Sequence, residues 1–461
     1  MNNKSIKKNA ILNSIKTMLS IVFPLITYPY AARVLHAINL GKVIFAQSIV
    51  SYFSLVAALG VNVYAVREGS KLRGNKEKFE SFCCEIFSVN MLTTLFAYIL
   101  LAISIFLIPT LRKYGGLMSV LSLSMFFTTI SIDWVNVIYE DYYIITIRSI
   151  ITNIINLISL IIFVKNEHDY YVYAFILVFP NIIIGVWNFI YCKKYIKIHF
   201  LLKCKFEKHI KPLLVFFANN LAISIYCYAD TTMLGWILGD DRCVGIYSMA
   251  VKVYTVVKTL LASIYTVCIP RLSHYYGNNE QDEFKDLLNK VTGGLILILL
   301  PAVAGIVVLA NPIILFLGGK EYVGAVGILK ILSIALIFAI FGGIVSNCIN
   351  IPTGKEKITL IGTIIASITN IILNYFFIPV LGEYGAAITT VIAELVVVLI
   401  CFILNLEMVK LFYLKTLSKT VAQGVLGGVI VIISYKISKK FMLNEFLQCT
   451  FTSITTIIIY F

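Results

Sequence analysis

Apolar runs of about 20 residues, the length that crosses a hydrocarbon layer roughly 30 Å thick, recur from one end of this chain to the other, and they dictate most of what it can fold into. Inside such a layer water cannot satisfy backbone N–H and C=O groups, so each run must close its hydrogen bonds as a helix or within a closed barrel. A barrel would show alternating segments of about ten residues; the runs here are continuous. Composition agrees, because 59% of the 461 residues are hydrophobic and 13% charged, with a mean hydropathy of +0.91. No soluble core calls for that. The expected fold class is an all-α polytopic membrane protein with 12–14 transmembrane helices, placed over 9–33, 41–65, 83–108, 116–139, 144–164, 171–192, 212–238, 244–269, 291–316, 326–350, 358–381, 384–406, 417–435 and 446–461. The opening MNNKSIKKN leads into a first span too long and too polar on one face for a cleaved signal peptide, so it is expected to stay. Ten cysteines include one adjacent pair, Cys83 and Cys84, and no C-x-x-C. They read as reduced apolar filler, and no metal site is expected.

The formal net charge of +15 is unevenly spread. With the N-terminus inside, one set of alternate loops collects Lys4, Lys7 and Lys8, then Arg67 to Lys78, then seven lysines between Lys193 and Lys211, then Arg271, Lys285 and Lys290. The opposite loops hold far fewer, so both termini are expected in the cytoplasm. Lys436, Lys439 and Lys440 break the pattern. The chain also repeats itself at an interval of 204 residues, pairing Gly41 with Gly245, Ala46 with Ala250, Ser51 with Thr255, Arg67 with Arg271 and Asn75 with Asn279. Six helices precede the basic linker 193–211, so two six-helix lobes, 1–192 and 212–406, are expected in a pseudo-twofold arrangement about the membrane normal. Residues 407–461 add about two C-terminal helices.

Polar residues inside these runs are the candidates for function. In PLITYPYAARVL, Pro24 to Leu35, Pro24 and Pro29 remove backbone donors and are expected to bend the first helix. Asn9, Asn13, Lys16, Ser20, Pro24 and Thr27 share one side of that helix at about 100° per residue. Similar stripes carry Asp133, Asn136 and Glu140; Arg148, Thr152 and Asn156; Asn219, Tyr226 and Asp230; Ser248, Lys252, Thr255 and Thr259; and Thr390 with Glu394. The neutral members glue helices together as readily as they bind anything. The charges weigh differently, since Lys or Asp at a helix centre costs about 2.5–3.5 kcal/mol and needs water or a partner. Lys16, Lys252, Asp133, Asp230 and Glu394 therefore point to a hydrated cavity, while Arg33 and Arg67 lie near interfaces where snorkelling is the default. A cation against a phosphate oxygen gains about 4 kcal/mol at an effective dielectric near 20, and hydroxyls and amides suit sugars. An amphiphile with a diphosphate and a glycan would use both. No P-loop, HExxH or GxSxG occurs, and PTGKEK, Pro352 to Lys357, has a single glycine before its lysine.

The first ninety residues resemble the polysaccharide-transporter family of lipid-linked oligosaccharide flippases, such as O-antigen flippases, within the MATE-like exporter superfamily. The matching stretches are PLITYPYAARVL, LGKVIFAQSIVSYFSLVAALG from Leu40 to Gly60, and YAVRE from Tyr64 to Glu68. IDWVNVIYEDYYIITIRSI echoes a further family pattern through Asp133, Trp134, Glu140 and Arg148, and YADTTMLGWILG through Asp230. The chain departs at two glycines: His36 follows RVL, and Val137 or Tyr139 stands for the glycine of Gly-x-Glu. The resemblance implies a non-enzymatic flippase of the bacterial inner membrane that moves an undecaprenyl-diphosphate-linked repeat unit to the outer leaflet by alternating access, for O-antigen (lipopolysaccharide) or capsule/exopolysaccharide assembly. On that reading Lys16 and Lys252 meet the diphosphate, Arg33 and Arg67 assist near the two mouths, and Asp133, Asp230 and Glu394 take a coupling proton or sodium ion; no other cofactor is expected. Partners would be the lipid-linked oligosaccharide, membrane lipid, a polysaccharide polymerase and a chain-length regulator, without nucleic acid. Two rivals stay open: an ion-coupled multidrug antiporter of the same superfamily, and a membrane-embedded glycan polymerase or glycosyltransferase.

Overall fold

The computed structural model describes the backbone of residues 6–201, 206–440 and 444–460, and the side chains of the same residues except 6–17, 20, 21, 206, 219 and 446. Among these residues there is no strand. The helices in chain order are α1 (Ile6–Ala58), α2 (Val61–Leu72), α3 (Lys76–Leu107), α4 (Pro109–Arg112), α5 (Gly115–Ser131), α6 (Trp134–Ile138), α7 (Tyr142–Phe163), α8 (Tyr170–Cys192), α9 (Phe206–Leu238), α10 (Asp241–Gly277), α11 (Gln281–Gly318), α12 (Ala325–Ile344), α13 (Glu356–Leu381), α14 (Glu383–Leu404), α15 (Leu414–Lys440) and α16 (Glu445–Tyr460). Twelve helical segments among the described residues are long and apolar enough to cross a membrane, and a shorter apolar segment follows at Leu447–Tyr460. The protein is an all-α, multi-pass membrane protein.

Two compact units divide the chain inside α9, at Ile225 and Tyr226. In the first, α1 packs on α3, α5 and α7, and α5 on α8. Its aromatic core joins Tyr64, Phe79, Phe82, Trp134 and Ile138 to Leu213 of α9. In the second unit α13 and α14 form a close pair, α12 lies against α10, α11 and α14, and α15 and α16 pack on α11. Gly424 lets α15 approach α11, since a Cβ there would stand 3.2 Å from the Ile296 carbonyl. Outward faces carry large apolar side chains such as Phe106, Val267 and Val380, as lipid contact requires.

The helix breaks fall where positive φ angles occur, which corrects two expected spans. Pro24 and Pro29 stay inside α1, and the non-helical residue is His36, with φ 62° and ψ 169°. A proline in a membrane helix removes a hydrogen bond that neighbouring groups can replace; a reversal needs a residue that leaves the helical region altogether. His36 occupies a region open almost solely to glycine. The helix expected at 41–65 is cut by Leu59 (φ 41°) and Gly60 (φ 73°). The one expected at 116–139 is cut by Ile132 (φ 42°, ψ 40°). The α9 helix already includes Phe206, ahead of the expected residue 212.

Gly60 is required twice over. Its φ is positive, and a Cβ there would lie 2.5 Å from Phe216 Cβ and 3.0 Å from the Phe217 backbone nitrogen. Gly60→Ala is expected to destabilise the protein by about 2–4 kcal/mol, read as a lower melting temperature in detergent; an unchanged melting temperature would contradict the close approach of α9.

The stretch 193–201 is not a loose tether. Glu80 Oε1 accepts the Lys197 backbone N–H at 2.7 Å, Ser88 Oγ accepts that of Leu201 at 2.8 Å, and Cys84 Sγ donates to the Lys197 carbonyl at 3.5 Å. Ile196 is buried while Lys197 and His199 are exposed, so the strap alternates along α3. Before α8, Asp169 accepts the backbone N–H groups of Lys165 and Asn166 at 2.9 Å each, which holds its carboxyl below the usual range. The stabilisation is present above the ordinary aspartate pKa and fades as pH falls through the lowered value.

Candidate functional site

The polar residues of the second unit collect on four helices around two buried acids. Asp230, near the end of α9, is 8% exposed. It accepts hydrogen bonds from Tyr247 Oη of α10 (2.8 Å), Asn370 Nδ2 (3.0 Å) and Asn374 Nδ2 (2.7 Å) of α13, and Thr390 Oγ1 of α14 (2.6 Å). Asn370 and Asn374 reach it together because they stand four apart on one helical face. Thr389 donates to Asn374 Oδ1 at 2.5 Å, and Thr389 and Thr390 both donate to the Ala386 carbonyl. Every partner shown for Asp230 is neutral. A buried carboxylate answered only by neutral donors keeps a net charge that a proton or a cation would cancel.

One turn further along α14, Glu394 is 5% exposed. It accepts Tyr254 Oη at 2.8 Å and pairs with Lys258 Nζ at 2.6 Å. Tyr247, Tyr254 and Lys258 follow one another at intervals of seven and four on α10, which puts them in one row facing Thr390 and Glu394. The Lys258 side chain is 32% exposed and that of Glu394 7%, so the pair opens outward through the lysine.

In the first unit, Asp133 Oδ1 meets Arg148 Nη2 at 2.5 Å. Below this pair, Asn136 Nδ2 donates to Asn188 Oδ1 at 2.5 Å, and Cys192 Sγ donates to Asn136 Oδ1. Asp141 accepts hydroxyls from Tyr191 (2.6 Å) and Tyr195 (2.7 Å) and faces Lys194 at 3.4 Å. Burial and the bond to Asp141 push the Tyr195 phenol up. Arg73 reaches Glu140 at 3.2 Å and the Ile138 carbonyl at 3.1 Å. Glu140 itself has φ 53° and turns the chain into α7. His209 of α9 is fully buried between Tyr64 Oη (2.8 Å) and Glu85 Oε2 (2.9 Å).

The residues singled out from sequence are thus spread over several settings. Asp133 and Glu394 each have a cationic partner, and Asp230 has neutral ones. Arg33 is exposed, three residues before the His36 break. Arg67, 54% exposed, pairs with Glu68 at 2.9 Å and lies over the Phe216 ring. Lys252 is half-buried on α10. The side chain of Lys16, like those of Asn9, Asn13, Ser20 and Asn219, lies outside the described residues. Sequence reasoning missed Lys258, Asn370, Asn374 and His209. The first was legible in principle: it stands four residues after Tyr254 on the same face, opposite an acid that needs a counter-charge. Among the described residues no group of three or more His, Cys, Asp or Glu could hold a metal ion.

Long apolar helices that carry buried, hydrogen-bonded acids fit a multi-pass protein of the helical transporter class. The chain belongs to the polysaccharide biosynthesis protein family, whose profile matches residues 6–276, more than half of the sequence. A second profile, MatE, matches residues 216–376. A relative in Escherichia coli (strain K12) described as "Putative O-antigen transporter" is 24% identical over 280 residues, 59% of this chain and 66% of that one. One of the same description in Shigella dysenteriae is 25% identical over 366 residues, 76% of this chain and 88% of the relative. Among solved structures, "Lipid II flippase MurJ, inward closed conformation" is similar with a TM-score of 0.79 at 20% identity, covering 98% of this chain and 97% of the other. An inward-facing multidrug resistance MATE family transporter of the MOP superfamily follows at TM-score 0.66 and 17% identity, covering 89% and 99%. At these identities the structures establish a shared fold.

Proposed function

We propose that this protein is a flippase for a lipid-linked oligosaccharide. It moves an undecaprenyl-diphosphate-linked repeat unit across the bacterial inner membrane by alternating access, for O-antigen or capsule assembly. The observation that carries this reading is the family membership together with two relatives described as O-antigen transporters. The basic loops support cytoplasmic termini. In this reading Lys16, Lys252, Arg33 and Arg67 contact the anionic head, and a polymerase and a chain-length regulator receive the product.

Asp230 is the proposed coupling site for a proton or sodium ion. Its surroundings fit a small hard cation: the Asp230 carboxylate, the Thr390 hydroxyl and the Ala386 carbonyl offer oxygen, and rotating the Asn370 or Asn374 amide would present another. The residues of this chain hold the charge, and a bound ion would neutralise it.

Deleting the gene is expected to remove the surface glycan and to accumulate the lipid-linked unit, with both restored by the intact gene. An unchanged glycan would refute the flippase reading. The MatE match favours one other reading, an ion-coupled multidrug antiporter; ion-dependent efflux of cationic dyes, lost with the gene, would select it.

A further inference from the structure

Arg148 heads the fully buried side chains by size among the described residues, at 2% exposure. Its Nη2 meets Asp133, but Nε and Nη1 are buried without a hydrogen-bond partner. Three of the five N–H donors of the guanidinium are therefore unspent. Burying a charged donor without an acceptor is strongly unfavourable, so a site that keeps one in reserve is built to receive an oxygen.

Three further observations place that oxygen. First, the helix that brings Asp133 to Arg148 is broken by Ile132, a β-branched residue in the left-handed region. Such outliers persist where the surroundings enforce them, and interrupted membrane helices are tolerated where they line protein or water-filled space. Second, the Asp133 side chain is 40% exposed while that of Arg148 is 2% exposed, so the guanidinium lies directly behind a carboxylate that reaches the surface. Third, two turns along α7 on the same face, Asn156 Oδ1 is also buried without a partner. Thr152 between them spends its hydroxyl on the Arg148 carbonyl. The face of α7 thus offers unspent cationic donors and then, eight residues or about 12 Å on, an unspent acceptor. That order suits a ligand with anionic oxygens at one end and a hydroxyl at the other.

We propose that Arg148 binds a phosphoryl oxygen of the translocated lipid-linked glycan, and that Asn156 accepts a hydroxyl of its first sugar. Asp133 is a positioning residue: it holds one edge of the guanidinium and leaves the rest for the ligand. The assignment rests on the flippase reading and adds to it a site in the first unit that does not use the lysines named above.

The test uses the full-length protein in detergent, with undecaprenyl diphosphate, an undecaprenyl-diphosphate-linked monosaccharide and inorganic pyrophosphate as probes. Arg148→Gln is expected to weaken both lipids about tenfold or more, the scale of one lost charged hydrogen bond, and Arg148→Lys to recover part of that. Asp133→Asn, which removes a competing negative charge, is expected to tighten binding severalfold. Asn156→Ala is expected to weaken only the glycosylated lipid. Melting temperatures of the same variants separate binding from folding. If Arg148→Gln and Asp133→Asn lower the melting temperature while affinity stays at the wild-type level, the pair is a structural lock and the proposal fails. Pyrophosphate bound as tightly as the lipids would make the ligand a free anion and overturn the lipid assignment. Because binding is read directly, an intact glycan in the deletion strain would sink the flippase reading without altering an Arg148-dependent affinity.

Discussion

Lys258→Met is expected to abolish transport and to lower stability by about 3–5 kcal/mol, the effect of stranding a buried charge by removing its partner. Glu394 would be left with the Tyr254 hydroxyl and no counter-ion among its present partners. The measurements are surface glycan in a complemented deletion strain and the melting temperature of the purified variant. The reverse change, Glu394→Gln, is expected to be milder for stability, because the Lys258 side chain is 32% exposed and can turn to water. The double variant Lys258→Met/Glu394→Gln is expected to regain most of the lost stability and none of the transport. A wild-type melting temperature for Lys258→Met alone would mean that Glu394 is already neutral in the resting protein.

Asp230→Asn is expected to reduce transport roughly 10–100-fold, the scale of losing a charge-assisted contact, while the fold stays intact. An amide keeps the shape and one acceptor for Tyr247 or Thr390. It cannot hold the negative charge that a coupling cation requires. Asp230→Ala removes the acceptor for all four donors and is expected to cost about 3 kcal/mol or more in addition. Vesicles holding the purified protein provide the readout: the wild type should respond to an imposed proton or sodium gradient, and Asp230→Asn should not. A gradient-responsive Asp230→Asn protein would reduce Asp230 to a structural hub.

The helices were legible because hydropathy is a local property. The spans expected at 171–192, 358–381 and 384–406 lie within two residues of α8, α13 and α14 at both ends. The breaks were hidden for a physical reason. Positive φ angles at His36, Leu59, Ile132 and Glu140 are held by packing, and none of these residue types announces the conformation as glycine would. Pro24 and Pro29 lie inside α1, and the residue that leaves the helical region, His36, comes several positions later. At the sites, Asp230, Glu394 and Thr390 stood out as polar groups in apolar runs, but their partners did not. Asn370, Asn374 and Lys258 lie on other helices, more than 130 positions away in sequence from the acids they meet. The polar row read along Ser248, Lys252 and Thr255 lies beside the row of Tyr247, Tyr254 and Lys258 that faces the acids, a shift of one position around the same helix. His209 was passed over because it falls in a basic stretch that reads as solvent-facing until Tyr64 and Glu85 close around it.

The strap from residue 193 to 201 bears on how this protein can be engineered. A lysine-rich stretch between two spans invites the insertion of a reporter or a protease site. Here its backbone is stitched to Glu80, Cys84 and Ser88, so an insert would unpick the inner face of α3. Gly74, exposed between α2 and α3, where an added side chain would meet nothing within 4 Å and the backbone is not left-handed, is the better place for a graft.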